Sequence, residues 1–223
     1  MHKNSLYIHS LLSKAIKNKG FASFIVSGGS SPIDIFQDLN GSDLDWANIE
    51  VSLVDDRSVD MHHDDSNEKL LNEKLLVNNA SKASFVSLKL EPSRVYKIKQ
   101  PYDIMLLGMG EDAHFASLFP SMVNSNIEYF KIDSKPEIIY TQPMGNPLHE
   151  RISMNLAMIL NSKSIILLVS NSKKSDLVTP TWDIKQTFKE GNSTSTKFRK
   201  DYYLGELETD SKYIIIKCRD HEY

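Results

Sequence analysis

FASFIVSGGSSP, Phe21–Pro32, decides how the rest of the chain is read. Its apolar run, Phe21–Val26, stops at Ser27-Gly28-Gly29-Ser30-Ser31, and Pro32 suits the first turn of a helix. Ile33, Phe36 and Leu39 continue at helical spacing until Asn40-Gly41. Strand, glycine-rich turn and helix make a βα unit, the building block of a parallel sheet. Upstream, Ile8, Leu11, Leu12, Ala15 and Ile16 share one helical face, with Ser5 placed to cap the start and Gly20 the end.

The pattern recurs downstream. Ile49–Val54 reads as a strand, followed by a polar loop, Asp55–Asp65, and a helix capped by Ser66 that carries Leu70, Leu71, Leu75 and Leu76. Ile104–Leu107 reads as a third strand, Ile138–Thr141 as a fourth and Ser164–Val169 as a fifth, the last preceded by a helix over Ser153–Leu160. Tyr213–Lys217 makes a final strand, and the polar stretch Glu190–Lys200 reads as a flexible loop. Nearly continuous apolar strands alternating with helical patterns predict one α/β domain over residues 1–223. Its expected form is a mainly parallel twisted sheet with helices on both faces, Rossmann-like in architecture.

Composition narrows the class. Among 223 residues, 40% are hydrophobic and 25% charged, which excludes a disordered or fibrous chain. Lys and Arg number 26 against 29 Asp and Glu, and a net charge of −3 gives no electrostatic case for a nucleic-acid partner. Cys218 is single and cannot form an intramolecular disulfide. No secretion signal is read at the N-terminus, so the sequon Asn192-Ser193-Thr194 carries no weight. The longest apolar run, Ile165–Val169, falls far short of the roughly 20 residues a membrane span needs. The expectation is a cytoplasmic protein with no membrane partner; its oligomeric state is not legible.

In open sheets of this kind, ligands bind beyond the carboxyl ends of the strands. The unusual residues fall there. Ser27-Gly28-Gly29-Ser30 lets the backbone approach an anion at a helix start, and it is not a Walker loop because no Gly-Lys-Ser/Thr follows. Asp55-Asp56-Arg57 brings a guanidinium to a strand exit, with a carboxylate available to orient it. Gly108-Met109-Gly110-Glu111-Asp112-Ala113-His114 sets an imidazole and a carboxylate close together past a buried strand, where a neutral His can take a proton from water. Arg151, in His149-Glu150-Arg151, either reaches an anion or pairs with Glu150 on the surface. His62-His63-Asp64-Asp65 reads as a solvated loop, since adjacent residues seldom ligate one ion and no Cys or further His stands at metal-site spacing.

Together these strings resemble the glucosamine-6-phosphate isomerase/6-phosphogluconolactonase family. The matching segments are SGGSSP (27–32), DDR (55–57) with DSN (65–67), LLGMGEDAHFASLFP (106–120), PLHERIS (147–153) and VSNSKK (169–174). They cover about residues 20–175 in the family's order. The third is the most specific, the family reading close to Gly-Met-Gly-x-Asp-Gly-His-x-Ala-Ser-Leu-Phe-Pro. The chain departs from the pattern at Asp56, where Glu is usual, at Ala113, where Gly is usual, and at Asn171, three residues before Lys174. The deaminase/isomerase branch typically carries Ala-Phe-Asn-Glu-Pro after the His. Here Ala116-Ser117-Leu118-Phe119-Pro120 holds no carboxylate, which favours the lactonase branch.

The resemblance implies hydrolysis of 6-phospho-D-glucono-1,5-lactone to 6-phosphogluconate in the oxidative pentose phosphate pathway, without metal or organic cofactor. It implies His114 as general base, Asp112 as its tuning partner, and Gly28, Gly29, Ser30, Arg57, Arg151 and Lys174 as the phosphate site. The alternatives are an amino-sugar phosphate deaminase/isomerase and a non-catalytic sugar-phosphate-binding regulator.

Overall fold

A computed structural model of the chain describes residues 1–169 and the backbone of 200–206 and 212–218. Its centre is the opening stretch of the sequence reading. Strand β1 (Ala22–Val26) is buried at every position and pairs in parallel with β2 (Ile49–Leu53) on one side and β5 (Tyr102–Gly108) on the other. With β4 (Ser84–Val86) and β8 (Ser162–Val169), these form five parallel strands in the order β4-β2-β1-β5-β8. Two antiparallel strands, β9 (Lys200–Glu206) and β10 (Lys212–Cys218), extend the edge beyond β8. The expected mainly parallel α/β sheet is observed.

Helix α1 (Lys3–Lys19) packs on β1 and β5 and meets α2 (Ile33–Asn40), burying Ile8, Leu12, Ile35, Phe36 and Leu39. Gly20 ends α1 in the left-handed conformation, φ 81°, as its lack of a Cβ allows. Ser5 does not cap that helix; it lies buried inside the first turn, and His2 occupies the N-cap. Ser66 does cap α3 (Asn67–Lys74), accepting from the Lys69 N–H.

Three expectations are corrected in the same region. Asp55–Arg57 is not loop but a short strand, β3, and it pairs antiparallel with β7 (His149–Met154). The segment expected as the fourth strand of the main sheet is β6 (Ile138–Met144), which joins β7 and β3 in a separate antiparallel sheet. The helix expected over Ser153–Leu160 is only α5 (Leu156–Leu160), which follows the short α4 (Pro92–Val95) in the chain and is capped by Asn155. In Arg151-Ile152-Ser153-Met154 side chains alternate between two faces, and a nonlocal partner, β3, supplies the ladder that makes this a strand. Among the described residues no helix is long and apolar enough to cross a membrane.

Candidate active site

The small sheet places two arginines opposite each other. Arg57 on β3 and Arg151 on β7 are direct register partners, so both side chains leave the same face of the ladder. Arg151 is 3% exposed, its Nε donating to the Met144 carbonyl at 3.0 Å and its Nη2 to Pro147 at 3.1 Å. Burial and the neighbouring Arg57 charge hold its guanidinium below the usual arginine range, against the pull of Asp55, Asp56 and Asp112. Arg57 donates from Nη1 to the Asp65 carbonyl at 2.7 Å, and its buried Nε has no partner among the described residues. Among the described residues neither arginine forms a salt bridge with a carboxylate. Two facing cations, backed by carbonyls and without a carboxylate salt bridge among the described residues, are an arrangement that can hold an anion, the candidate anion site.

The carboxylate expected to orient Arg57 does something else. Asp56 is fully buried and turned toward the start of α3. It accepts from the N–H groups of Arg57 and Asn67 at 2.7 Å each and of Glu68 at 3.2 Å, and Lys89 Nζ lies 2.9 Å away. The first turn of a helix leaves N–H groups without intrahelical acceptors, and Asp56 satisfies two of them. Its neighbour Asp55 accepts from the Ser117 hydroxyl at 2.6 Å. Burial raises the Asp55 carboxyl above the usual range, outweighing Ser117 and the two arginines.

That Ser117 contact ties the anion site to the loop beyond β5. In the loop, His114 Nδ1 stands 2.5 Å from Asp112 Oδ1. Burial pushes the Asp112 carboxyl up, but the hydrogen bond and charge of His114 win, and it lies below the usual value. Gly110 makes the geometry possible: a Cβ there would stand 2.2 Å from both Cε1 and Nδ1 of His114. Ala113, where the family has Gly, has φ 67°, the left-handed region that glycine favours.

Phe119 completes the link. The His114 ring stacks on it at 4.4 Å between centroids and 29° between planes, and the Arg151 guanidinium lies 5.4 Å from the same ring. Phe119, Ser117 and Asp55 were not singled out as site residues in the sequence. The signal for each was its place in a string that carries the resemblance, 106–120 for Phe119 and Ser117 and 55–57 for Asp55.

The glycine turn closes the arrangement. Ser27 N–H bonds to the Leu106 carbonyl and Val54 N–H to Val26, joining the ends of β1, β2 and β5. Gly28 abuts Asn67, whose Oδ1 would stand 2.2 Å from a Cβ, and Asn67 in turn donates to the Asp55 carbonyl. Gly29 has φ 82°, no described residue lies within 4 Å of where its Cβ would be, and Ser30 is exposed. Contacts thus run continuously from Gly28 through Asn67 and Asp55 to Ser117, and from His114 through Phe119 to Arg151. Lys174, Asn171, the sequon and all but the last residue of the Glu190–Lys200 loop lie outside the described residues.

The family described as glucosamine-6-phosphate isomerases/6-phosphogluconolactonase matches residues 1–191. The chain belongs to this family, a class of enzymes acting on sugar phosphates. Within it, the similar proteins are 6-phosphogluconolactonases. The one from Helicobacter pylori is 38% identical over 172 residues, 72% of each chain. That from Neisseria meningitidis serogroup A is 37% identical over 178 residues, 73% of this chain and 75% of the relative. The crystal structure of a 6-phosphogluconolactonase from Shewanella baltica superposes with a TM-score of 0.70 at 30% identity, covering 80% of this chain and 79% of that one.

Proposed function

We propose that the protein hydrolyses 6-phospho-D-glucono-1,5-lactone to 6-phosphogluconate, a step of the oxidative pentose phosphate pathway, with His114 as general base. The observation that carries this reading is the link from the Asp112–His114 dyad through the ring of Phe119 to Arg151, the register partner of Arg57. With Nδ1–H donated to Asp112, the His114 Nε2 lone pair takes a proton from water. The water oxygen bonds to the lactone carbonyl carbon and gives a tetrahedral oxyanion. That intermediate collapses with cleavage of the bond to the ring oxygen, which leaves with the proton held on the imidazolium. The products are a carboxylic acid, ionised in water, and a free hydroxyl. Arg57 and Arg151 hold the phosphate from one side and the Gly28-Gly29-Ser30 turn from another, with Lys174 added by the family resemblance. General-base assistance contributes about 10²–10⁴ in rate, and the anchored phosphate adds positioning.

The test is turnover on freshly prepared lactone, corrected for spontaneous hydrolysis, beside an ammonia-release assay on glucosamine 6-phosphate. Lactone opening without ammonia release is expected. Ammonia release would assign the deaminase/isomerase reaction, and binding without turnover a regulator.

A further inference from the structure

Away from His114, a second group of ligating side chains joins two remote segments. His63 and Asp65, in the loop before α3, meet His149 at the start of β7, and one ligating atom of each lies within 4.8 Å of the others. His149 Nε2 stands 2.8 Å and His63 Nδ1 3.8 Å from the same oxygen, Asp65 Oδ2. The two imidazoles meet edge to face with centroids 5.7 Å apart. His63 is exposed and the other two half-buried, so the cluster opens to solvent. The expectation of a solvated loop at His62–Asp65 counts donors from one loop alone, and His149 reaches Asp65 from 84 residues further on.

We propose that His63, Asp65 and His149 bind a divalent transition metal of the zinc type, with solvent at the remaining position. Metal–ligand bonds of about 2.0–2.2 Å in tetrahedral geometry set donor atoms roughly 3.4 Å apart, and the separations of 2.8 and 3.8 Å from Asp65 Oδ2 bracket that distance. Two imidazoles with one carboxylate suit Zn²⁺, Co²⁺ or Ni²⁺, whereas Mg²⁺ asks for oxygen donors. Without a metal, the His149–Asp65 hydrogen bond joins two members of the cluster and the Asp65 backbone N–H donates to His63 Nδ1 at 3.1 Å; a bound ion would take that Nδ1 lone pair in place of the N–H. The ion takes no part in lactone hydrolysis. It clasps the loop before α3 to the start of β7, and Arg57, which donates to the Asp65 carbonyl, is braced by it.

The experiment is thermal unfolding of the whole chain with Zn²⁺ or Mg²⁺, joined to Co²⁺ titration followed by visible absorption. Zn²⁺ at a hundredfold excess over its Kd is expected to raise Tm by about 5–10 °C, and Mg²⁺ to leave it unchanged. One Co²⁺ per chain should give a d–d spectrum that His63→Gln and His149→Gln remove and His114→Asn keeps. His63 is exposed, so its variant keeps the test decisive should His149→Gln not fold. No Zn²⁺ shift in the wild type, equal shifts in all variants, or a Co²⁺ spectrum lost with His114→Asn would each overturn the assignment.

Discussion

Asp56 and Asp112 follow β2 and β5, the two strands that flank β1, and stand in opposite surroundings. Asp56 is fully buried, and helix N–H groups, the N–H of Arg57 and the ammonium of Lys89 saturate its two oxygens. The Asp112 side chain is 57% exposed, and among the described residues the one side chain it engages is His114. A buried carboxylate with every lone pair taken has nothing left for a substrate; it organises the corner from which Arg57 projects. An exposed carboxylate bound to one ring nitrogen leaves the other nitrogen free for chemistry. Burial and saturation, not the presence of an acidic residue, separate scaffold from reactive group.

The largest expected effect falls on the exposed side. His114→Asn keeps size and polarity but cannot take the proton, so kcat should drop by about 10²–10⁴ while Tm holds. Near wild-type kcat with an unchanged pH profile would remove His114 from the mechanism and erase the contrast.

On the buried side the same kind of change should act through folding. Asp56→Ala strands Lys89 and two helix N–H groups, a loss of about 3–5 kcal/mol, or roughly 6–20 °C in Tm for a chain of this size. Activity per folded molecule should survive largely intact. If Asp56→Ala unfolds at the wild-type temperature but loses turnover, Asp56 belongs with the reactive groups.

Much of this was legible beforehand because it is local. The continuous apolar runs of β1, β2, β5 and β8, the cap at Ser66 and the glycine stop at Gly20 each depend on residues within one turn or strand. What failed was nonlocal. The β3–β7 ladder joins residues on opposite sides of the β5 strand in sequence, so neither partner announces itself as a strand. The true helix of α5 then lent its pattern backward to Ser153, hiding the alternation of Arg151–Met154. For the site, residue types and positions were readable, while the direction of the Asp56 side chain was not, because the N–H groups that claim it belong to α3.

Phosphate recognition gives the next smaller effect. Arg57→Ala should raise KM and lower kcat/KM about ten- to a hundredfold, since a hydrogen bond to a charged group is worth about 1.5–3 kcal/mol. The loss should disappear on an unphosphorylated gluconolactone. Equal losses on both substrates would show that Arg57 supports the loop rather than the phosphate.

The smallest effect sharpens the comparison within the reactive loop itself. Ala113 sits between Asp112 and His114 at φ 67°, where a Cβ crowds the following carbonyl at a cost of roughly 1–2 kcal/mol. Ala113→Gly removes that strain, but the unfolded chain gains freedom worth about 0.5–1 kcal/mol. The balance favours glycine by at most about 1.5 kcal/mol, a rise in Tm of no more than about 6 °C, with kcat unchanged because the Asp112–His114 contact needs no side chain at 113. Gly110→Ala, three residues away, should do the reverse: its Cβ would stand 2.2 Å from two His114 ring atoms, so the ring must move and turnover must fall. Differential scanning calorimetry beside turnover reads both. A lower Tm for Ala113→Gly would mean that the methyl group restrains the loop by more than its strain, and that this exposed corner is held as firmly as the buried one around Asp56.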